Sequence, residues 1–349
     1  MSNDASSFNW PRAYGEPVGA GLYRQTPEAF MVEEVLDFKP EGEGEHLWLW
    51  LEKRELNTVE LTKRLARNFE IALRDVGFSG LKDRSAVTRQ WVSLWLPGKA
   101  TPDDLEARVA DAGALLLKSD RHPRKLKRGV HRGNRFRLRI ALDAFDAARR
   151  DALTRRWQQL VEQGVPNYFG PQRFGWGGAN IVRARQLFAR GWRKRDDKQG
   201  LMLSAARSFL FNEILAVRIR CGSWNEACEG DVFNLEGTMS RFMPEGIDEA
   251  LRSRVAQLDI HPTGALWGVG TLDSQNEIAE LEQAVAALHH DIAVGLESAG
   301  LRQERRALRI RLAEPQLDCD DDGAWLTFTL GRGAFATAVL RELIDHPTL

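Results

Sequence analysis

Residues 77–91 read GFSGLKDRSAVTRQW. Gly77 and Gly80 bracket Phe78 and Ser79, and residues without a Cβ let the backbone bend where a side chain would clash. Lys82, Asp83 and Arg84 then place one carboxylate between two cations, ahead of the apolar run WVSLWL over residues 91–96. The pattern predicts Asp83 on a loop that enters a strand. An ionised carboxylate there is a candidate nucleophile or general base. Solvated turns also carry such triplets, so the three residues alone do not decide between chemistry and surface charge.

The 349 residues are 43% hydrophobic and 28% charged, the composition of a globular protein with a large core and room for two domains. No apolar run approaches the roughly 18 residues of a membrane span, and the opening MSNDASSFNW lacks the charged-then-apolar order of a secretory signal, so the expected location is the cytoplasm. Cys221, Cys228 and Cys319 make neither a disulfide framework nor a zinc quartet, and no structural metal is expected. Lys plus Arg equals Asp plus Glu, 49 of each. A nucleic-acid partner must therefore be sought in local patches.

Residues 1–20 form a lead-in containing Trp10 and Pro11, followed by an extended segment from Gly21 to the acids Glu33 and Glu34. The run EHLWLWLE over residues 45–52 predicts a strand covered on both faces. Asn57 with Glu60 three residues on is a helix cap, and Leu61, Leu65 and Phe69 recur behind it at helical spacing. Pro97 and Gly98 end the strand after the loop, and a short helix follows Pro102. Residues 121–139 hold nine Lys or Arg and no acid. Within them Arg135, Arg137 and Arg139 alternate with Phe136, Leu138 and Ile140, which puts the arginines on one face of a strand and the apolar residues on the other. Such a concentration of cations predicts an anion site whose partner is phosphate.

Residues 144–163 predict a helix stopped by Gly164, and VPNYFGPQRFG over residues 165–175 predicts a tightly packed loop. From 177 to about 308 the pattern is mostly helical, with a basic segment over 181–198, a helix over 202–219 and one long helix over 277–299 closed by Gly300. Strand character returns over 307–312 and 325–330, before a short helix ending near Leu343. Strand-rich ends around a helix-rich middle suggest one domain inserted into another.

The fifteen-residue stretch resembles the signature of the TruD family of tRNA pseudouridine synthases, with Gly80, Lys82, Asp83, Ala86, Thr88 and Gln90 at the matching places. The likeness extends to residues 21–34, where Ala29 replaces the usual acid, to Gly133, Asn134 and Phe136, to residues 165–175, and to residues 333–341, where Ala334 stands for a serine. The resemblance implies an α+β fold: a pseudouridine-synthase catalytic domain with a central mixed or antiparallel sheet and flanking helices, plus an inserted, mostly helical TruD domain. The implied segments are 1–164 and 308–349 for the catalytic domain and 165–307 for the insertion. It further implies that Asp83 is catalytic, that Arg24 pairs with it, that Phe136 stacks on the target base and that Asn134 helps position the aspartate. Phe136 alternates with Leu138 and Ile140, so a plain core position competes with that role. Asn167, Gln172 and Arg173 receive no catalytic role.

The activity so implied is isomerisation of uridine 13 of tRNA to pseudouridine. The N1 glycosidic bond breaks, the uracil turns, and C5 rejoins the sugar. Nothing is added or lost, so no cofactor and no metal is expected; the implied partner is tRNA, with no protein partner. Whether Asp83 attacks the sugar or abstracts a sugar proton stays open. Extruding the base costs a few kcal/mol, which stacking of about 1–3 kcal/mol and phosphate contacts would offset. Two other readings compete: an RNA-binding module without chemistry, served equally by the basic clusters, and a glycoside hydrolase, which normally wants two carboxylates where this loop offers one.

Overall fold

Residues 8–197 and 200–349 are described by the structure, a computed structural model. The first seven residues of the expected lead-in and Lys198 of the expected basic segment lie outside the described residues. The chain divides into two units, described separately. A sheet unit holds Gly21–Arg150 and Ala313–Gly333; a helical unit holds the described residues up to Ala20, Asp151–Leu312 and Ala334–Leu349.

The sheet unit is organised by residues 21–23 of strand β1 (Gly19–Tyr23) and by strands β2 (Phe30–Val35), β3 (His46–Lys53), β4 (Val76–Phe78), β5 (Val87–Trp95), β6 (Ala114–His122) and β7 (Gly133–Leu142), with two more at Ala313–Cys319 and Gly323–Gly331. Along the sheet the order is Ala313–Cys319, Gly323–Gly331, β7, β2, β5, β3, β6. β2 and β5 run parallel, with Val32 opposite Thr88. The other neighbours in that order are antiparallel, so the sheet is mixed. The alternation read at residues 135–140 is present: Phe136, Leu138 and Ile140 are buried, whereas Arg135 and Arg137 are exposed.

Helices α1 (Thr58–Asn68) and α2 (Leu105–Asp111) belong to one core with β3 and β5, built from Leu47, Leu49, Leu51, Leu61, Leu65, Val92, Leu94 and Val109. α1 begins where its cap predicts, with the Asn57 side chain accepting from the Glu60 amide at 2.8 Å. β5 begins four residues earlier than its apolar run indicates. Thr88 and Gln90 disguise it as loop, yet both are fully buried.

α3 (Ala147–Gln163) stops at Gly164, whose φ of 86° favours glycine. The helical unit continues with α4 (Ala179–Ala189), α5 (Leu201–Arg220), α6 (Glu249–Ala256), α7 (Asn276–Leu288), α8 (His290–Ser298) and α9 (Ala336–Leu343). α5 runs through its core and buries Ala205, Phe209, Leu210, Ile214 and Leu215. The single helix expected over 277–299 is two. His289 leaves helical geometry at φ −119°, ψ 42°, and its ring packs edge-on against Phe209 at 4.8 Å.

A four-stranded sheet of Arg241–Phe242, Phe233–Leu235, Ile260–Leu266 and Glu304–Ala307 interrupts the helical middle. Its longest strand buries six residues in succession, including Pro262 and Gly264, so no alternation announced it. Two buried arginines of this unit meet carboxylates: Arg218 with Asp231 at 2.8 Å and Arg305 with Glu282 at 2.6 Å. Among the described residues, no helix is long and apolar enough to cross a membrane.

Candidate active site

Residues 79–86 join β4 to β5, which pair antiparallel with Gly77 opposite Ser93. Lys82 turns inward, and its ammonium meets Glu34 Oε1 on β2 at 3.0 Å, with neither side chain more than 3% exposed. The second Glu34 oxygen accepts the Trp91 amide at 3.2 Å. Burial raises the pKa of Glu34, and the Lys82 charge opposes that rise. The Lys82 amide donates to Thr58 Oγ1 at 3.0 Å, and the Thr58 hydroxyl donates to Gln90 Oε1 at 2.8 Å. Thr58 is therefore a strut that ties the first turn of α1 both to the loop and, through Gln90, to β5.

Lys53, at the end of β3 and 1% exposed, donates to the Leu56 carbonyl at 2.5 Å and to the carbonyl of Asp83 itself at 3.1 Å. Burial lowers its pKa to about 8, with the Asp83 charge acting the other way. At the loop's start, Ser79 Oγ accepts the His131 amide at 2.7 Å and lies 2.7 Å from His131 Nδ1. Burial, then the charges of Lys82 and Arg332, push the His131 imidazole down to about 4.

Asp83 is the outward-facing member of this web. Its Oδ1 accepts the Ser85 amide at 3.0 Å, closing an Asx turn. Its Oδ2 lies 3.0 Å from Arg24, and the aspartate side chain keeps 35% of its surface exposed. Arg24 adopts φ 58°, an uncommon conformation for a non-glycine residue. Its guanidinium stands 3.9 Å over the Phe30 ring. Phe30 meets Phe136 edge-on at 6.5 Å.

The structure thus links Asp83, Arg24 and Phe136 through Phe30. Phe136 is 7% exposed and stacked on Phe328 at 5.5 Å. Asn134, two residues earlier on β7, lies opposite Glu34 and has a buried Oδ1 with no hydrogen-bond partner among the described residues. Sequence reasoning gave no role to Glu34, Lys53 or Thr58. A lysine ending an apolar strand and a threonine following a cap residue were the available signals, and neither reveals a partner distant in the chain.

The cations of residues 121–139 are partly neutralised. Arg139 bonds Asp320 at 3.0 Å and Asp322 at 2.6 Å, Arg132 lies 3.5 Å from Asp37, and Arg135 lies 4.0 Å from Glu314. Arg137 stacks over Trp325 at 4.1 Å and Arg128 over Phe78 at 3.7 Å. Arg124 and Lys127 stay exposed in the preceding loop. Among the described residues, no group of three or more His, Cys, Asp or Glu side chains could hold a metal ion. Glu34 is tied to Lys82 and the Trp91 amide, so Asp83 is the carboxylate this loop offers to a substrate.

The family model for tRNA pseudouridine synthase D (TruD) matches residues 13–185 and 195–343. The tRNA pseudouridine synthase D of Chromohalobacter salexigens is 56% identical over 341 residues, covering 97% of both chains. That of Stutzerimonas stutzeri is 47% identical over 96% of both. A solved TruD structure from Methanosarcina mazei superposes with a TM-score of 0.72 over 96% of this chain and 95% of that one, at 21% identity, and so shares the fold. With the family model matched over nearly the whole length and relatives aligned over 96–97% of each chain, the chain belongs to the TruD family of tRNA pseudouridine synthases, which are isomerases.

Proposed function

We propose that this chain converts uridine 13 of tRNA to pseudouridine, with Asp83 as the catalytic residue. The observation that carries the proposal is the state of that carboxylate: one oxygen on Arg24 at 3.0 Å, one on the Ser85 amide at 3.0 Å, a loop fixed from below, and a third of the side chain open to a substrate. Arg24 holds the carboxylate in place through the 3.0 Å contact. Asp83 then acts on the ribose of the extruded nucleotide while N1 leaves C1′ and C5 returns to it. Phe136 supplies part of the aromatic wall beside the base, and the Asn134 Oδ1 acceptor suits the N3–H of uracil. Residues 165–307 act as an insertion in a catalytic domain formed by 1–164 and 308–349, and the place of action is the cytoplasm. Exposed cations in both units supply phosphate contacts, so affinity falls steeply as salt rises.

The test is Asp83→Asn, assayed by chemical probing of pseudouridine in tRNA with the purified chain as the sole enzyme. Loss of product with tRNA binding intact supports the assignment, and retained product removes Asp83 from the chemistry. A wild type that binds tRNA but modifies no RNA would favour a binding module.

A further inference from the structure

We propose that Trp176 is a stacking platform for an unpaired base of the RNA substrate, and that arginines of α4 hold phosphates on either side of that base. The choice of ligand rests on the reading of the chain as a tRNA-modifying enzyme. The site itself rests on an indole that the fold keeps out of its own core, at the head of a segment rich in cations.

Trp176 is 93% exposed, whereas none of the other tryptophans exceeds 40%. The chain on both sides of it is anchored, because Phe174 and Ile181 belong to the core around α5. Between them Gly175, Gly177 and Gly178 take φ of 74°, 57° and 76°, a region that favours glycine. A Cβ on Gly175 would come to 3.0 Å from the Asn180 side chain, and Asn180 Nδ2 donates to the Arg173 carbonyl at 3.2 Å. The Gly178 amide closes the turn on the Gly175 carbonyl at 3.1 Å. The turn is thus braced from within and presents Trp176 to solvent.

An exposed indole suits several partners, and the charge around it selects among them. Residues 163–195 contain seven Lys or Arg and no Asp or Glu. Arg185 pairs with Asp291 at 3.1 Å, and Arg195 lies 3.7 Å from Asp196. Arg183, in the second turn of α4, and Arg190, just past its end, are exposed and have no ion pair among the described residues. With Gln186, Leu187 and Arg195 they line a groove of about 540 Å³. Asp196 and Asp197 reach the same groove, but the Asp197 carboxylate is committed to the Met202 and Leu203 amides at 3.0 Å. An acidic protein surface would use the arginines and leave the indole idle; an apolar surface would do the reverse. Unpaired RNA uses both, since the ring takes the face of a base and the guanidiniums take the phosphates.

Full-length wild type, Trp176→Ala, Trp176→Phe and Arg183→Gln are titrated with tRNA over a range of salt concentrations. Trp176→Ala is expected to bind about tenfold more weakly with an unchanged slope of log K against log salt, because stacking releases no counterion. Trp176→Phe is expected to recover most of the loss, and Arg183→Gln to make the slope shallower by about one. The urea unfolding midpoint of Trp176→Ala should match wild type; a lowered midpoint would show that the indole serves the fold and would overturn the platform. Unchanged affinity in Trp176→Ala also overturns it and leaves the indole to a protein or lipid partner. An unaltered slope in Arg183→Gln removes the phosphate contacts. Failure of the wild type to bind tRNA would sink the functional reading and the site together, whereas normal binding by wild type and Trp176→Ala alike removes the site alone.

Discussion

The loop that carries Asp83 and the web around Arg305 both bury charge, and they use it differently. In the sheet unit, the Lys82–Glu34 pair at 3.0 Å lies directly beneath an exposed carboxylate, so its energy goes into placing a neighbouring residue. In the helical unit, Glu282 meets Arg305 at 2.6 Å, the Ser274 hydroxyl at 2.6 Å and the Ala265 amide at 2.9 Å, joining strand to helix within a core. The first web positions the carboxylate proposed to react; the second holds an element together. A buried ion pair taken alone does not tell the two apart. The orientation of the adjacent residue does.

The largest effect is expected at Asp83. Asp83→Asn is expected to lower kcat by about 10³-fold or more while leaving the unfolding midpoint in urea close to wild type; a large stability loss would mean that the aspartate is part of the scaffold. Next come Glu34→Gln and Glu282→Gln, each leaving a buried cation without its counter-charge, at about 3–5 kcal/mol. Urea unfolding of both, with kcat measured on the folded fraction, sharpens the contrast: Glu34→Gln is expected to lower kcat as well as stability, Glu282→Gln chiefly stability.

A smaller effect follows from His131. Its folded pKa of about 4 lies below the ordinary 6.5, so the unfolded chain binds more protons between those values. The contribution is fully present above pH 6.5 and is lost as pH falls towards 4, by ~1–2 kcal/mol after allowance for partial exposure. Stability measured from pH 7 to 4 should fall less steeply in His131→Gln than in wild type. The smallest change is Thr58→Val, which unties the Lys82 amide and the Gln90 carbonyl at about 1 kcal/mol, with a several-fold drop in kcat. An unchanged kcat would show that the Thr58 strut does not govern the loop.

Much of this molecule could be read from its sequence where the signal is local. The Asn57 cap, the alternation at 135–140 and the stop at Gly164 lie where periodicity and capping place them. The Arg24–Asp83 contact was inferred from family resemblance, not from spacing, because 59 residues separate the partners. Three features escaped because their cause is tertiary. The polar start of β5 is buried between two partner strands, where Gln90 meets Thr58. The break at His289 is stabilised by Phe209 on another helix. The strand Ile260–Leu266 is covered on both faces and shows no period of two. Glu34 and Lys53 were missed as site residues for a related reason: their charges matter only after folding brings the loop over them.

β5 has a parallel partner on one edge and an antiparallel partner on the other, so each edge answers to a different spacing of amide and carbonyl groups. Sliding it to suit one neighbour spoils its match with the second, and a slip of a single position would turn Thr88 and Gln90 out of the interior. The stem that delivers Asp83 is in this sense double-locked. Variation in length among related chains should therefore be rare between Asp83 and Val87 and more common ahead of Ser79, where no such lock applies.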